Sequence, residues 1–456
     1  MPPVPTFTSL TRSDEIGSHA YLLEFGKTRV VVDAGIHPIK VGYETLPDFE
    51  DLTPGSLDAI LISHAHLDHL GGLPPLQRDH PEATIVMSDP TKLVGKALLH
   101  NSVNVMKAQK SEQNVTEYPL FTHREVDSMA SDWVTRRPGQ RFRIDPLHGD
   151  SPVTCELYPA GHVLGAVAIS MSYRDHHILY SGDIHFEDQS LSRAADLPTE
   201  NIDTLIIETT RGDQARPENY TREGEKLRFG ETIAAAFSRH GSVLVPVFAL
   251  GKTQETLLML HELMLEGVIP GDTPIHIGGL STKMTMLTDK IGDSWRRRHP
   301  EMKLLEDLPT LRELERGAEL PGARPGHIYL YSSGMMTEHT ISHRFAGQIL
   351  PHSSNALLFV GYADPDSPGG KILAADPGDM ISLGNRTVPL ACEVEKFDFS
   401  GHAPRQQLLD YIVKLSPQRA ILVHGDTPAR NWFAEQLEGF PTEAIVPGAG
   451  DKISLT

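Results

Sequence analysis

The residues best suited to chemistry lie in one short stretch. Ser63 to Pro74, SHAHLDHLGGLP, sets His64, His66, Asp68 and His69 within six consecutive positions. Imidazole nitrogens with a carboxylate oxygen beside them are the donors that zinc prefers. In a chain with 23 histidines some must fall close together, and a solvated turn could hold such a run, but neither accounts for its order. The apolar LDAILIS ahead of it reads as a short buried strand, and Gly71 and Gly72 punctuate the chain after it. His64 and His66, two apart in extended backbone, point their rings to one side. Asp68 and His69 come next, where the chain turns and can face a second point. The pattern predicts a metal site with ligands for two adjacent cations.

Two cations need more donors than this stretch supplies. PAGHVLGA places His162 in a glycine-bounded loop, YSGDIH places Asp183 just after a strand, and LVHGD places His424 in the same way. A lone histidine is more often a satisfied core or surface ring. Three strand ends that each deliver a histidine or aspartate beside glycine argue for ligands instead. The aspartate is also suited to bridge, because each of its oxygens can bind one cation.

The elements that must position these residues are legible as runs. Up to about residue 210, short apolar runs such as YLLEF, RVVVDAG, ATIVMS, HHILYSGD and TLIIETT alternate with turn signals, as strands that feed a site from their loops do. From about 212 to 393 the pattern changes to helices alternating with buried strands, as in GSVLVPVFALGKTQETLLMLHELM, the strand, turn and helix of α/β architecture. After 393 come KFDFSGH, a helix-like APRQQLLDYIVKL and the strand RAILVHGD, whose histidines match the first segment in kind. The middle therefore reads as an insertion, with residues 1–211 opening a domain, residues 212–393 inserted into it and residues 394–456 closing it. The GKT at Gly251 to Thr253 is not a phosphate loop, since the glycine required five positions earlier is Pro246.

Composition bounds the rest. The chain has 456 residues, 39% hydrophobic and 22% charged, enough for two ordered domains. A formal net charge of -19 excludes a protein that coats nucleic acid through bulk charge, though not a local cationic groove. The densest basic stretches, Thr135 to Arg143 and Trp295 to Pro300, read first as solvated surface. No signal peptide is expected, and no apolar run approaches the ~20 residues of a membrane span. The two cysteines, Cys155 and Cys392, lack metal-ligand spacing and read as buried thiols of a cytoplasmic protein with no membrane association.

With these residues in view, the chain resembles the metallo-β-lactamase superfamily, whose His-x-His-x-Asp-His signature is His64, His66, Asp68 and His69. Its further metal positions are matched by His162, Asp183 and His424, and its early structural aspartate by Asp33. Within the superfamily it resembles the β-CASP nucleases: Glu208 in IIETT, His402 in FSGH and His424 in LVHGD stand at the branch's three extra motifs, and VLVPVFALGKTQETL, SSGMM and GGKIL resemble its inserted domain. The resemblance spans nearly the whole chain, with no extra N-terminal RNA-binding module and no C-terminal extension expected. It implies an αββα sandwich interrupted by a smaller α/β domain. It implies two zinc ions, one on His64, His66 and His162, the other on Asp68, His69 and His424, bridged by Asp183, with Asp68 also orienting the nucleophile.

The implied reaction is phosphodiester hydrolysis, with His402 as general acid steadied by Glu208. Ser332, Ser333 and Gly334 with Lys371 are the implied phosphate contacts, the inserted domain forming a lid over a cleft for single-stranded RNA. Histidine at position 424 goes with RNA-acting members, where DNA-repair members carry valine. The chain departs from the RNA-acting pattern after Glu208, where it reads Thr209, Thr210, Arg211, Gly212 and then no histidine, and after Met336, where the usual glycines are missing. Both departures border the implied RNA path and spare the metal positions. The alternatives are a hydrolase of small esters, thioesters or lactones, a DNA-acting member, and a scaffold without catalysis. The inserted domain opposes the first, His424 the second, and the full ligand set the third. A homodimer or a place in an RNA-processing complex is compatible with the sequence.

Overall fold

Short aliphatic runs bounded by glycine, aspartate and proline form the framework, because strands buried on both faces need apolar side chains at nearly every position. The computed structural model describes residues 4–12, 15–147, 152–291, 295–315 and 317–455. The chain divides into two compact units, one built from residues up to Asp188, from Arg193–Arg216 and from Gly401 onward, the other from Gln189–Ser192 and Pro217–Ser400.

The first unit holds two seven-stranded sheets. One runs in the order Lys452–Ser454, Thr6–Ser9, Tyr21–Phe25, Thr28–Val32, Ala59–Leu61, Thr84–Met87, Val134–Thr135. The other runs Glu443–Ile445, Arg419–Val423, Thr204–Glu208, His176–Tyr180, Val167–Tyr173, Val153–Pro159, Phe142–Ile144. Their facing surfaces meet where the Phe25 and Tyr173 rings lie 5.7 Å apart and Tyr21 and Tyr180 5.9 Å apart. On the outer face of the first sheet, Leu22, Val31, Ile60 and Ile85 pack with Leu99, Val103 and Met106 of the helix Asp89–Gln113. On the outer face of the second, Leu179, Leu205, Ile207 and Leu422 pack with Leu408, Ile412 and Leu415 of the helix Arg405–Leu415. Each such side chain contributes about 1.5–3 kcal/mol by leaving water. The long helix starts where Ser88 Oγ accepts the Thr91 amide at 3.1 Å, and His123–Asp132 starts at a reciprocal cap between Thr122 and Glu125.

The second unit is a six-stranded parallel sheet in the order Leu311–Leu314, Ile275–Gly278, Ile328–Tyr331, Val243–Pro246, Ala356–Phe359, Glu393–Lys396, with an antiparallel hairpin of Met380–Leu383 and Arg386–Pro389. Helices Arg222–Ser238, Lys252–Leu265 and Leu280–Ile291 belong to it. The αββα sandwich with an inserted α/β domain expected from the sequence is present.

The units change over at residues 216/217 and 400/401, a few positions after the divisions drawn from the sequence. Gly212 lies so close to the helix Thr427–Gln436 that an added Cβ would come 2.2 Å from Ala429 O, and Arg216 pairs with Glu187 at 2.7 Å, so this segment stays with the first unit. Glu393–Lys396 is an edge strand of the second unit's sheet, and the Arg228 guanidinium caps Phe397 at 3.9 Å, so residues up to 400 stay there. No helix among the described residues is long and apolar enough to cross a membrane. Cys155 and Cys392 are both unpaired and buried, and burial pushes the Cys392 thiol up to about 12.

Candidate metal centre

Thr28–Val32 and Ala59–Leu61 run parallel, as do His176–Tyr180, Thr204–Glu208 and Arg419–Val423, so their carboxyl ends come out at one edge of the sandwich. Asp33, His64, Asp183, Glu208 and His424 all follow or end these strands, and Val153–Pro159, two antiparallel steps away, delivers His162 to the same edge. His66 is still extended, at φ -63° and ψ 149°, and the single turn Leu67–Leu70 then carries Asp68 and His69. Gly35 allows this turn to lie flat on the strand ends: a Cβ there would fall 1.6 Å from Asp68 O.

Two groups of donors result. In the first, His66 Nδ1 lies 3.1 Å from His64 Nε2 and 3.1 Å from His162 Nε2, and both Nε2 atoms lie 3.5 Å from Asp183 Oδ2. In the second, His69 Nε2 and His424 Nε2 each lie 3.4 Å from Asp183 Oδ1, and 3.7 and 3.6 Å from Asp68 Oδ2. Bonds of about 2.0–2.1 Å in a tetrahedral shell put donors about 3.3–3.4 Å apart, so both groups have the span of a metal-binding cage. Asp183 presents one oxygen to each. His69 Nε2, Asp183 Oδ1 and His424 Nε2 are buried and make no hydrogen bond, a costly arrangement in protein alone and a natural one around a cation. These residues fit a pair of metal ions.

The far nitrogens of the rings are pinned, which fixes the tautomers. His69 Nδ1 donates to Asp33 Oδ2 at 2.7 Å and His162 Nδ1 donates to Gly401 O at 2.8 Å. Ser63 Oγ spends its proton on Asp33 Oδ2 at 2.7 Å, so the contact to His64 Nδ1 at 3.1 Å must be donated by the ring. Each leaves an Nε2 lone pair facing the centre. Asp33 is completely buried and also accepts the Ser63 amide at 2.7 Å and the Tyr180 hydroxyl at 2.5 Å, the work of a structural rather than a ligating aspartate. Its φ of 58° and that of His424, 47°, lie in the left-handed region, costing about 1–3 kcal/mol each where the surroundings impose them.

Burial, then His69, depresses His64, and burial, then His402, depresses His162, which keeps both rings neutral and able to bind metal. Burial alone would raise Asp183 and Asp68, but His424 and His69 beside the former and His69 and His424 beside the latter hold both well below the usual carboxylate range. Burial would lower His69, yet Asp183, Asp68 and Asp33 lift it well above an ordinary histidine, an attraction that a cation would inherit.

Glu208 and His402 adjoin the first group. His402 Nδ1 donates to Glu208 Oε2 at 2.9 Å, while Glu208 Oε1 accepts the Ile184 amide at 2.7 Å. His402 Nε2 then faces Asp183 Oδ2 at 3.9 Å. Burial would lower this ring's pKa, but Glu208 and then Asp183 raise it above the ordinary value.

His19 is a residue to which the sequence pattern does not point. Fully buried, it packs against His424 with ring centroids 4.0 Å apart and the planes tilted by 31°, and sits beside Asp68 and His69. Its Nε2 accepts the Gly17 amide at 3.0 Å and its Nδ1 meets Tyr21 OH at 3.1 Å, so it packs against a ligand with both nitrogens engaged. Only the glycine-serine-histidine before a strand could have marked it. In the second unit, Ser332, Ser333 and Gly334 form a tight turn after Ile328–Tyr331, where Ser333 Oγ accepts the Thr337 amide at 3.0 Å and an added Cβ on Gly334 would meet Phe248 at 3.0 Å. Lys371 is exposed on the short helix Pro368–Leu373 of that unit. Of the basic stretches, Arg137, Arg141 and Arg143 pair with Asp89, Glu156 and Asp145, and Arg297 donates to Met302 O, as surface and structural arginines do.

Residues 14–227 match the family model of the metallo-beta-lactamase superfamily, residues 253–372 the Beta-Casp domain and residues 387–447 the Zn-dependent metallo-hydrolase RNA specificity domain. The chain is 29% identical over 443 residues to the endoribonuclease YSH1 of Saccharomyces cerevisiae, covering 92% of this chain and 54% of that one. It is 28% identical over 444 residues to the cleavage and polyadenylation specificity factor subunit 3 of Dictyostelium discoideum, covering 94% and 54%. It thus spans about half the length of these relatives. With the probable RNase MJ4 of Methanocaldococcus jannaschii it shares 28% identity over 454 residues, 97% of this chain and 98% of that one. A solved protein of unknown function from Enterococcus faecalis V583 shares the fold, with a TM-score of 0.58 and 14% identity over 99% of this chain and 100% of that one.

Proposed function

We propose, for a chain that belongs to the metallo-β-lactamase superfamily and carries its β-CASP domain, a zinc-dependent ribonuclease that hydrolyses phosphodiester bonds of single-stranded RNA. The observation that carries this reading is the Glu208–His402 pair set against the two donor groups, with His402 Nε2 3.9 Å from the shared Asp183. His64, His66 and His162 would hold one zinc, Asp68, His69 and His424 the other, with Asp183 shared. When bound, such ions supply a water acidic enough to attack at neutral pH and positive charge for the phosphate oxygens.

The chain's own groups do the rest. Asp68, its side chain 26% exposed, accepts a hydrogen bond from the attacking water and so aims the water's lone pair at phosphorus. As the bond from phosphorus to the 3′ oxygen breaks, His402 Nε2 gives that oxygen its proton. Glu208 holds the ring through Nδ1 and favours its charged form, so proton and orientation are both in place beforehand. Ser332, Ser333, Gly334 and Lys371 are proposed to receive phosphates of the RNA farther along the strand.

The match to an RNA specificity domain over residues 387–447, which includes His402 and His424, and relatives named as ribonucleases support RNA over DNA or a small ester. A place in an RNA-processing complex rests on the name of the Dictyostelium relative, and two unpaired, buried thiols suit the reducing cytoplasm. The test is a metal-replete time course on end-labelled single-stranded RNA and DNA of one sequence, with D68N as control. RNA cleaved by the wild type and spared by D68N supports the reading, and the ladder separates internal cutting from end trimming. Two zinc ions per chain with neither strand cleaved would turn the assignment to a small-ester hydrolase.

A further inference from the structure

Thr210 stands two residues past Glu208, and its hydroxyl touches both parts of the site. Thr210 Oγ1 lies 2.6 Å from Glu208 Oε2 and 2.8 Å from His424 Nδ1, with His424 O at 3.2 Å. A hydroxyl has one proton to give. Two of its three partners, the carboxylate and the carbonyl, can only accept, so whichever of them it serves, the proton is not available to the ring. His424 Nδ1 must then carry hydrogen and donate to Thr210, which puts the lone pair on Nε2. That is the atom buried without a hydrogen bond and aimed at Asp68 Oδ2 and Asp183 Oδ1.

The surrounding contacts support the same role. His69, His64 and His162 have their Nδ1 atoms held by Asp33, Ser63 and Gly401, and Thr210 is the only group holding that of His424 among the described residues. Thr209 secures the backbone beside it, its amide donating to His424 O at 3.1 Å and its hydroxyl to Val423 O at 2.9 Å. The left-handed His424 would otherwise have its ring held by packing alone, against His19 at 4.0 Å, His69 at 4.9 Å and His402 at 5.7 Å between ring centroids.

We infer that Thr210 is a positioning residue that fixes His424 in its Nε2-donating tautomer and ties this ligand, through one hydroxyl, to the Glu208–His402 pair. The inference rests on the two-metal reading of the site, and its test reads metal binding without substrate. T210V keeps the shape and loses the hydroxyl, and T210S keeps the hydroxyl and loses a methyl. Zn2+ affinity is measured by chelator competition, and the Co2+-loaded proteins are compared by visible absorption. Residues that orient a metal ligand change affinity by about 10–100-fold when removed. T210V is expected to bind its weaker metal about 10–100-fold less tightly with an altered Co2+ spectrum, and T210S to restore both to within about threefold. Wild type binding two metals with T210V binding both as tightly would overturn the Thr210 assignment alone, as would T210S failing like T210V, which would make the effect one of packing. Wild type binding fewer than two would overturn the Thr210 assignment and the two-metal reading together.

Discussion

His402 Nδ1 and Glu208 Oε2 lie 2.9 Å apart although 194 positions separate them in the chain. The pair forms because Glu208 ends a central strand and the loop after Gly401 is pinned to the same edge by the Ala403 amide on Ile184 O at 2.8 Å. Glu208 raises the His402 pKa, so His402 as proton donor should make cleavage fail as pH rises through that raised value. E208Q removes the charge, lowers the pKa and should move the descending limb of the rate profile to lower pH. H402A should abolish the limb and slow cleavage by about 10²–10⁴-fold with metal content intact. An unchanged rate in H402A would remove it from the mechanism.

Asp183 gives one oxygen to each donor group, so losing its charge should injure both sites at once. D183N is expected to retain one metal or none after dialysis where the wild type retains two, read by atomic emission. The rise in melting temperature on adding zinc, a direct measure of binding to the folded state, should shrink with it.

Asp33 accepts four hydrogen bonds while fully buried, from Ser63 twice, His69 and Tyr180. D33A leaves those donors facing an empty space and should lower stability by about 3–5 kcal/mol in urea titration, more than the loss of a surface carboxylate could cause. A change below about 1 kcal/mol would show that water replaces it freely.

His276, in the second unit, stacks on Tyr329 at 4.7 Å and meets His327 at 2.9 Å. Burial, then His327, Arg312 and Arg324, push its pKa down to about 4. The unfolded chain, with a histidine near 6.5, therefore binds the extra proton first. This contribution to stability is complete above about pH 6.5, declines as pH falls and levels off below about 4. Melts at about pH 7.5, 6 and 5 should show a shallower decline for H276F than for the wild type.

Most of the first unit's site was legible because its ligands are local in kind. His64, His66, Asp68 and His69 form a contiguous pattern, and His162, Asp183 and His424 each follow an apolar run beside glycine, so strand grammar brings these forward, whereas Asp33, Glu208 and His402 come forward through the family resemblance. His19 was not legible, since it joins the centre by packing against His69 and against His424, a ring from the far end of the chain. Thr210 carries no signal of its own in the sequence, because its bond to His424 depends on the register that sets Glu208 opposite Val423. The unit boundaries moved for a similar reason, because pairing of Glu393–Lys396 with Ala356–Phe359 is decided across the sheet and not along the run.

His424 follows the strand Arg419–Val423, which slots in beside Thr204–Glu208 only after the whole second unit has been spelled out. During synthesis on the ribosome, His64, His66 and His69 emerge early, and the chain made after them can fold for a long interval with the donor set open on one side. The centre closes when residue 424 arrives. A polypeptide that stops short of residue 424 thus lacks both this donor and the strand that positions it.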